Sequence, residues 1–338
     1  MKIIECVPNF SEGKNESTFE LLKESVKSIE GAKLLSLEPD ADYNRVVVTL
    51  AGDEKGILEA AISICKSASE NIDMRSHKGE HPRLGAIDVV PFVPVKNVSM
   101  DDCVAISEEF GKRIANELNL PVYLYEEAAK FPTRRNLSDI RKGEYEGLKE
   151  KLLNSDWAPD FGNPEFNEKL GALVTGARFF LVAYNVNINS TDVNFSKEIA
   201  EVLRESGRPK RDADGKIVKL NGETVREIGK LKAVKGMGVK LEKYGITQVS
   251  MNLTNYQTTP IHVAYEAAKE EAKKLSVDVN GSEIVGLVPL EALLQAGNYY
   301  SEGKYSDEDS LVELAIEKLG LSTLNPFIKN EKIIDYMI

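Results

Sequence analysis

The sequence predicts an α+β protein built from two βαββαβ units, on three observations. Apolar residues recur at helical spacing in some stretches and form short runs of strand character in others. These stretches succeed one another as strand, helix, strand, strand, helix, strand, and the succession restarts at Gly176. At 338 residues the chain has room for two domains on the usual scale of about 100 to 200 residues each.

Residues 3–7 (Ile-Ile-Glu-Cys-Val) read as a buried strand, stopped by the turn formers of 8–13. Phe19, Leu22, Val26 and Ile29 then recur at helical spacing. Strands are expected at 34–37 and 45–50, separated by a turn at Pro39-Asp40-Ala41-Asp42. A helix over 55–71 puts Ile57, Ala60, Ala61 and Ile64 on one face. The strand at 87–95 contains Pro91 and Pro94, and a residue without an amide hydrogen belongs at a sheet edge or a bulge. This order is that of the ferredoxin-like unit. A helix over 100–118, with Val104, Ile106, Phe110 and Ile114 on its buried side, and a strand over 121–125 follow. Residues 131–171 hold the single tryptophan, Trp157, with Arg134, Arg135, Arg141 and several prolines and glycines. They read as an irregular excursion with one helix near 145–153, and excursions of that length are usually functional or mobile.

In the second unit a long strand is expected over 179–188, a helix over 196–206, and an exposed, charged hairpin or insertion over 208–230. Strands at 239–242 and 247–253 precede a helix that Thr259 caps and Pro260 opens, running to 275. A strand at 283–287 and helices at 290–299 and 310–319 complete the chain. The predicted domains are 1–177 and 178–338, each a sheet with helices on one face, with a ligand cleft between the uncovered faces. Asn185, Asn187, Asn252 and Asn255 lie on or just after strands and are candidates to line it; strand-end and turn chemistry is the plainer account of them.

The stretch 73–88 is unusually dense in titratable groups for a structural loop, holding two of only three histidines, His77 and His81, among Arg75, Lys78, Glu80 and Arg83. Gly79 and Pro82 disfavour a helix here, so a polar loop is expected. Three readings of it compete. Histidines four residues apart can bind zinc from a helix, but the metalloprotease pattern puts Glu directly after the first His. Imidazole beside a carboxylate suits acid/base chemistry near neutral pH. A salt-bridged surface turn is the third. Elsewhere, His262 in the first turn after Pro260 suits a surface or packing role, and Gly236-Met237-Gly238 lacks the remaining spacing of a dinucleotide loop.

Hydrophobic content of 42% and 29% charge describe a soluble globular protein. A net charge of −11 argues against a nucleic-acid partner. Cys6, Cys65 and Cys103 have no paired or metal-ligand spacing, and reduced cysteines in the cytoplasm are the simplest account. Lys2 to Glu5 interrupts any early apolar run, and no stretch approaches the roughly 18 apolar residues of a membrane span.

Four motifs are more specific than composition: Glu5-Cys6-Val7-Pro8-Asn9-Phe10-Ser11-Glu12-Gly13, His77-Lys78-Gly79-Glu80-His81-Pro82-Arg83, Trp157-Ala158-Pro159-Asp160-Phe161-Gly162 and Val285-Gly286-Leu287-Val288-Pro289-Leu290. Together, in this order and over nearly the whole chain, they resemble the glutamate formiminotransferase family. The resemblance implies transfer of the formimino group of N-formimino-L-glutamate to N5 of tetrahydrofolate, in histidine degradation. It further implies two ferredoxin-like subdomains with a folate tunnel between them and a homodimer; in the residues themselves no metal or nucleotide site is evident, and neither cofactor is expected. His81 matches the catalytic residue of the family. Gly162, Asn163, Pro164, Glu165, Phe166, Asn167, Glu168, Lys169, Leu170 and Gly171 match its folate-binding segment. Animal members carry a fused cyclodeaminase, for which this chain has no room after Ile338, so a monofunctional enzyme is expected; 208–230 is longer than the corresponding connection in those members.

Attack by N5 on the formimino carbon gives a tetrahedral intermediate in which the attacking nitrogen loses a proton and the leaving nitrogen gains one. One imidazole can serve both needs, which casts His81 as general acid/base with Glu80 tuning it. Both substrates carry carboxylates, which Arg grips with parallel hydrogen bonds; Arg45 with its neighbour Asn44, Lys78 and Arg83 are the binding candidates. The alternatives are formyl transfer from N-formylglutamate, a folate-binding protein without catalysis, and an RNA-binding protein, which the acidic balance disfavours.

Overall fold

The computed structural model describes residues 2–79, 81–212, 214–220 and 222–338. The chain divides into two units, one running to Phe179 and including Ile338, the other Phe180–Met337. The first orders its elements as β1 (Ile3–Cys6), β2 (Asn9–Phe10), α1 (Glu16–Lys27), β3 (Ala32–Asp40), β4 (Arg45–Gly52), α2 (Glu54–Asn71), β5 (Ile87–Lys96), α3 (Met100–Leu118) and β6 (Val122–Glu126). Two short helices, α4 (Leu137–Ile140) and α5 (Leu148–Leu152), and a strand, β7 (Leu173–Ala177), follow.

Side-chain caps set the helix starts: Asn15 accepts from the amides of Ser17 and Thr18, Asp53 from Gly56, and Ser99 with Asp102 forms a reciprocal capping box. Strands β3, β4, β1 with β2, and β5 are neighbours in that order, all antiparallel. β7 adds to β5 in parallel, and β6 adds to β7 in parallel. Period-two alternation sorts the faces. Cys6, Phe10, Val46, Val48, Leu50 and Phe92 pack into one core with Leu22, Ile57, Ile64, Phe110 and Ile114 of the helices. Behind β5, β7 and β6, a smaller cluster joins Val89, Tyr123, Tyr125 and Val174 to Ile140, Leu148 and Leu152 of the excursion.

Three expectations need correction. The proline-bearing strand β5 is not at an edge but interior, with β1 and β2 on one side and β7 on the other, and it is the bulge alternative that is met, at Pro94, where its register with β1 shifts. Its prolines are accommodated because Pro91 still accepts from the Val7 amide and the register shifts opposite Pro94 and Lys96. Residues 173–177, given no strand of their own after the excursion ends at 171, form β7, while the strand expected over 179–188 is confined to Val182–Ile188. The turn expected at 39–42 begins later, because β3 continues through Asp40 to pair with Arg45.

The second unit runs β8 (Val182–Ile188), α6 (Val193–Leu203), four two-residue strands β9 (Arg208–Pro209), β10 (Lys219–Leu220), β11 (Glu223–Thr224) and β12 (Arg226–Glu227), then β13 (Val234–Leu241), β14 (Ile246–Leu253), α7 (Ile261–Lys274) and β15 (Val279–Val285). α8 (Leu290–Ser301), α9 (Glu308–Leu319) and α10 (Lys329–Lys332) follow. Its main sheet has the order β13, β14, β8, β15, all antiparallel. β9 to β12 make two ribbons from the charged insertion. Thr259 does not cap α7: its hydroxyl donates to the Lys232 carbonyl, and Pro260 occupies the cap position with no side-chain hydrogen bond. No helix among the described residues is long and apolar enough to cross a membrane.

Candidate functional site

The histidine loop is held from two sides, the segment 162–171 and Ser11, before any of its side chains is considered. The Met74 amide donates to the Lys169 carbonyl, the Ser11 hydroxyl to the Gly85 carbonyl, and the Ala86 amide to the Leu170 carbonyl. Gly85 and Gly171 face each other across an isolated bridge. A Cβ on Gly171 would lie 2.2 Å from the Leu84 carbonyl oxygen, and its φ of +70° is unfavourable for other residues, so this crossing demands glycine. The segment 162–171 is therefore structurally tied to the loop at its far end. Leu170 and Gly171 are buried there, whereas Gly162, Asn163, Pro164, Glu165 and Glu168 are exposed. Between them, Asn167 accepts from the Lys169 and Leu170 amides, and Phe166 lies 5.4 Å from the Tyr145 ring.

The turn between β3 and β4 forms the third side. Asp40 accepts from the amides of Asp42 and Tyr43, and Asn44 adopts a left-handed conformation at φ 49°. The Asn44 side chain accepts from the Gly13 amide at 2.9 Å and donates to the Lys78 carbonyl at 2.7 Å. Asn44 thus acts as a brace between strands and loop. A Cβ on Gly79 would stand 2.4 Å from the Tyr43 carbonyl oxygen, so the loop can approach this turn only with glycine there.

The two histidines are treated differently. His77 donates from Nε2 to the Asn44 carbonyl at 2.9 Å and accepts at Nδ1 from Arg83 Nε at 3.4 Å. Both nitrogens are used, the tautomer is set by its partners, and burial holds the ring below its ordinary pKa. A zinc ligand needs a free lone pair, so this arrangement disfavours the zinc reading of the pair. His81 receives a hydrogen bond at Nε2 from Arg45 Nη1, at 2.9 Å. Arg has only donors, so Nε2 carries the lone pair and the neutral ring holds its proton on Nδ1. The edge of Tyr43 lies 6.3 Å from the His81 ring, and the Arg45 guanidinium sits 5.7 Å above Tyr43. Burial foremost, then Arg45 and Arg141, push His81 down to about 4, with Asp40 opposing. Glu80, expected to tune His81, lies outside the described residues.

Of the basic binding candidates, Lys78 is exposed and Arg83 is buried in ion pairs. Arg83 donates to Glu144 at 2.8 Å and to both carboxylate oxygens of Glu146, at 2.9 and 2.5 Å. Arg141 pairs with the buried Asp88, whose carboxylate also accepts from the Leu84 amide. Arg45 has no carboxylate partner among the described residues, and its Nε is buried without a hydrogen bond. It is the basic group here best able to accept a ligand carboxylate. Sequence reasoning missed Tyr43, Asp40, Asp88, Glu144 and Glu146; the only signal was the charge density of Arg141-Lys142-Gly143-Glu144-Tyr145-Glu146 within an otherwise irregular stretch.

The asparagines of the second unit have distinct surroundings. Asn187 is fully buried and accepts from Gln248 at 2.8 Å, while its own Nδ2 has no partner. Gln248 also donates to Glu283 at 3.3 Å. Asn185 pairs in register with Ser250 and Glu283, and Asn252 is exposed. Asn255 closes a turn by accepting from the Gln257 amide. His262 stacks on Tyr299 at 4.5 Å, a packing role.

Two family models, described as the formiminotransferase domain, N-terminal subdomain, and the formiminotransferase domain, match residues 3–178 and 183–338. The chain belongs to the formiminotransferase family. Glutamate formimidoyltransferase of Streptococcus pyogenes serotype M1 is 44% identical over 88% of this chain and 93% of its own. The protein of that name in Thermoplasma acidophilum is 41% identical over 94% of this chain and 98% of its own. Formimidoyltransferase-cyclodeaminase of Dictyostelium discoideum is 46% identical over the whole of this chain, which spans 60% of that relative's length. The formiminotransferase chain described here therefore matches the shorter relatives nearly end to end and the longer ones in part.

Proposed function

We propose that this protein transfers the formimino group of N-formimino-L-glutamate to N5 of tetrahydrofolate, releasing L-glutamate, with His81 as the proton shuttle. The names of the two relatives matched nearly end to end support the reaction. The Arg45–His81 pair is the observation that carries the mechanism. Because Nε2 holds a lone pair and the ring is disfavoured as a cation, His81 is neutral near pH 7 and ready to take a proton. N5 attacks the formimino carbon, forming the new C–N bond; the cationic N5 then gives a proton to Nε2. The imidazolium passes that proton to the glutamate nitrogen, whose bond to carbon breaks as L-glutamate leaves. A single base thereby returns to its starting state.

Arg45 links binding to this sequence. A substrate carboxylate that engages its guanidinium withdraws a hydrogen bond from Nε2 and neutralises the nearest positive charge, and both effects make His81 a stronger base. Among the remaining candidates, Asn44 and Arg83 serve the loop's architecture and Asn187 is buried against Gln248, while Lys78, Asn185, Asn252 and the exposed part of 162–171 are available for substrate contacts.

The strand order supports assigning both units to the ferredoxin-like class: each has the succession βαββαβ, with its fourth strand beside the first, the first beside the third and the third beside the second. The test of function is a transfer assay with tetrahydrofolate and either N-formiminoglutamate or N-formylglutamate, with His81→Ala in parallel. Product from the formimino donor alone, lost in the variant, is expected. Product from the formyl donor alone would move the activity to formyl transfer, and product from neither would leave a folate-binding protein.

A further inference from the structure

The excursion contributes two carboxylates that do not touch His81 and yet are connected to it through hydrogen bonds joined by one covalent step along the chain, from Asn44 to Arg45. Glu144 and Glu146 hold the guanidinium of Arg83, whose side chain is only 7% exposed, and the Tyr145 amide between them donates to the Arg83 carbonyl at 2.9 Å. Arg83 Nε donates to His77, His77 donates to the Asn44 carbonyl, and the next residue, Arg45, donates to His81. The guanidinium is a rigid planar fork, so carboxylates placed on its Nη groups specify where its Nε points.

We propose that Glu144 and Glu146 are positioning residues for formimino transfer, acting through Arg83 on the histidine loop and so on the placement of His81. This rests on the reading of His81 as the proton shuttle. Without the carboxylates, Arg83 is left as a buried, unmatched charge. It then turns toward water, removes the donor to His77 Nδ1 that helps hold the ring, and loosens the loop from the turn between β3 and β4.

The sign of one titration separates positioning from simple electrostatics. His81 is faced by Arg45 from β4, Asp40 from β3, Arg141 from the excursion, Arg83 from its own loop, and the uncharged edge of Tyr43. If the frame stayed rigid, deleting two negative charges would leave Arg83 uncompensated and move His81 further down. If the glutamates position the loop, His81 gains water, moves away from Arg45 and Arg141, and titrates closer to its ordinary value of about 6.5.

The experiment uses the full chain carrying E144Q and E146Q together. It follows the His81 resonance by NMR in a protein with only three histidines, assigned by its disappearance in H81A, and measures kcat and KM for both substrates. The expected result is an upward movement of about one pH unit with kcat lower by about ten- to a hundredfold. E146D, which keeps both charges and shortens one arm, is expected to move His81 in the same direction by less. This variant serves as the test if the double variant does not fold. An unchanged or lowered titration in the variant tested, or a raised one with kcat within twofold of wild type, overturns the proposal. Retention of turnover by H81A overturns instead the reading of His81, whatever the glutamate variants show.

Discussion

Arg134 and Arg45 lie in the same unit and both sit over aromatic rings, but their charges are handled in opposite ways. Arg134 is 2% exposed, packed over Phe131, Tyr123 and Trp157, and bonded to Asp160 at 2.9 Å and to the carbonyls of Asp156 and Ala158. The same Asp160 oxygen accepts from the Leu124 amide, which ties the Trp157–Gly162 motif to β6. Arg45 is half-buried and its partner is a neutral imidazole. Both belong to stretches conspicuous in the sequence. A matched charge makes the first a latch for the fold; the second keeps an unmatched charge, which the proposed function assigns to a substrate carboxylate.

The sharpest way to test the contrast is to remove the reactive end. His81→Ala should lower kcat by about 10²- to 10⁴-fold, with little change in thermal unfolding; a large loss of Tm would place His81 on the structural side instead. Asp160→Asn should do the reverse, because it leaves a buried arginine unpaired. An unfolding free energy lower by about 3–5 kcal/mol is expected from denaturant titration, with kcat per folded molecule retained.

Arg45→Gln tests whether the unmatched charge is a carboxylate receptor. Loss of a charge-assisted hydrogen bond is worth about 1.5–3 kcal/mol, so KM for at least one substrate should rise about tenfold or more. The His81 titration should also move up, since Arg45 is the largest charged contributor to its depression. The smallest effect is in the pH profiles of the wild type. His81 titrates in the free protein at about 4, so the acid limb of kcat/KM should lie near that value. The limb of kcat, which reports the substrate complex, should lie higher if a carboxylate neutralises Arg45. Coincident limbs would separate Arg45 from substrate binding.

Strands and helices with strong periodicity were readable because burial imposes it directly: α2 and α3 fall within a residue of the expected limits. β7 was not, since Leu-Val-Thr-Gly-Ala is short, buried on both faces and without alternation, and nothing local marks it as parallel. The proline rule allowed the register shift at Pro94 but missed that β5 could be interior at Pro91, because it counts only the missing donor and not the carbonyl that Pro91 still supplies. At the site, residue types and the Gly-Pro punctuation identified the loop. What they could not supply was pairing across distance: Arg45 meets His81 from 36 residues away, and Arg83 meets Glu144 and Glu146 from 61 and 63. Those contacts are set by the β3–β4 turn and the path of the excursion, neither of which is encoded next to the histidines.

The position of β7 also has a consequence for biosynthesis. It is made after β6 yet lies between β5 and β6, so β6 leaves the ribosome before its sheet neighbour exists. Until residues 173–177 emerge, β5 has an open edge and β6 has none of its ladder hydrogen bonds to β7. The nascent chain must carry exposed apolar strand through synthesis of the whole excursion, the period in which unpaired edges are prone to aggregate. Residues 169–171, which hold the histidine loop, are made immediately before this strand, so the loop gains that support in the same interval of translation in which β5 and β6 gain their shared neighbour.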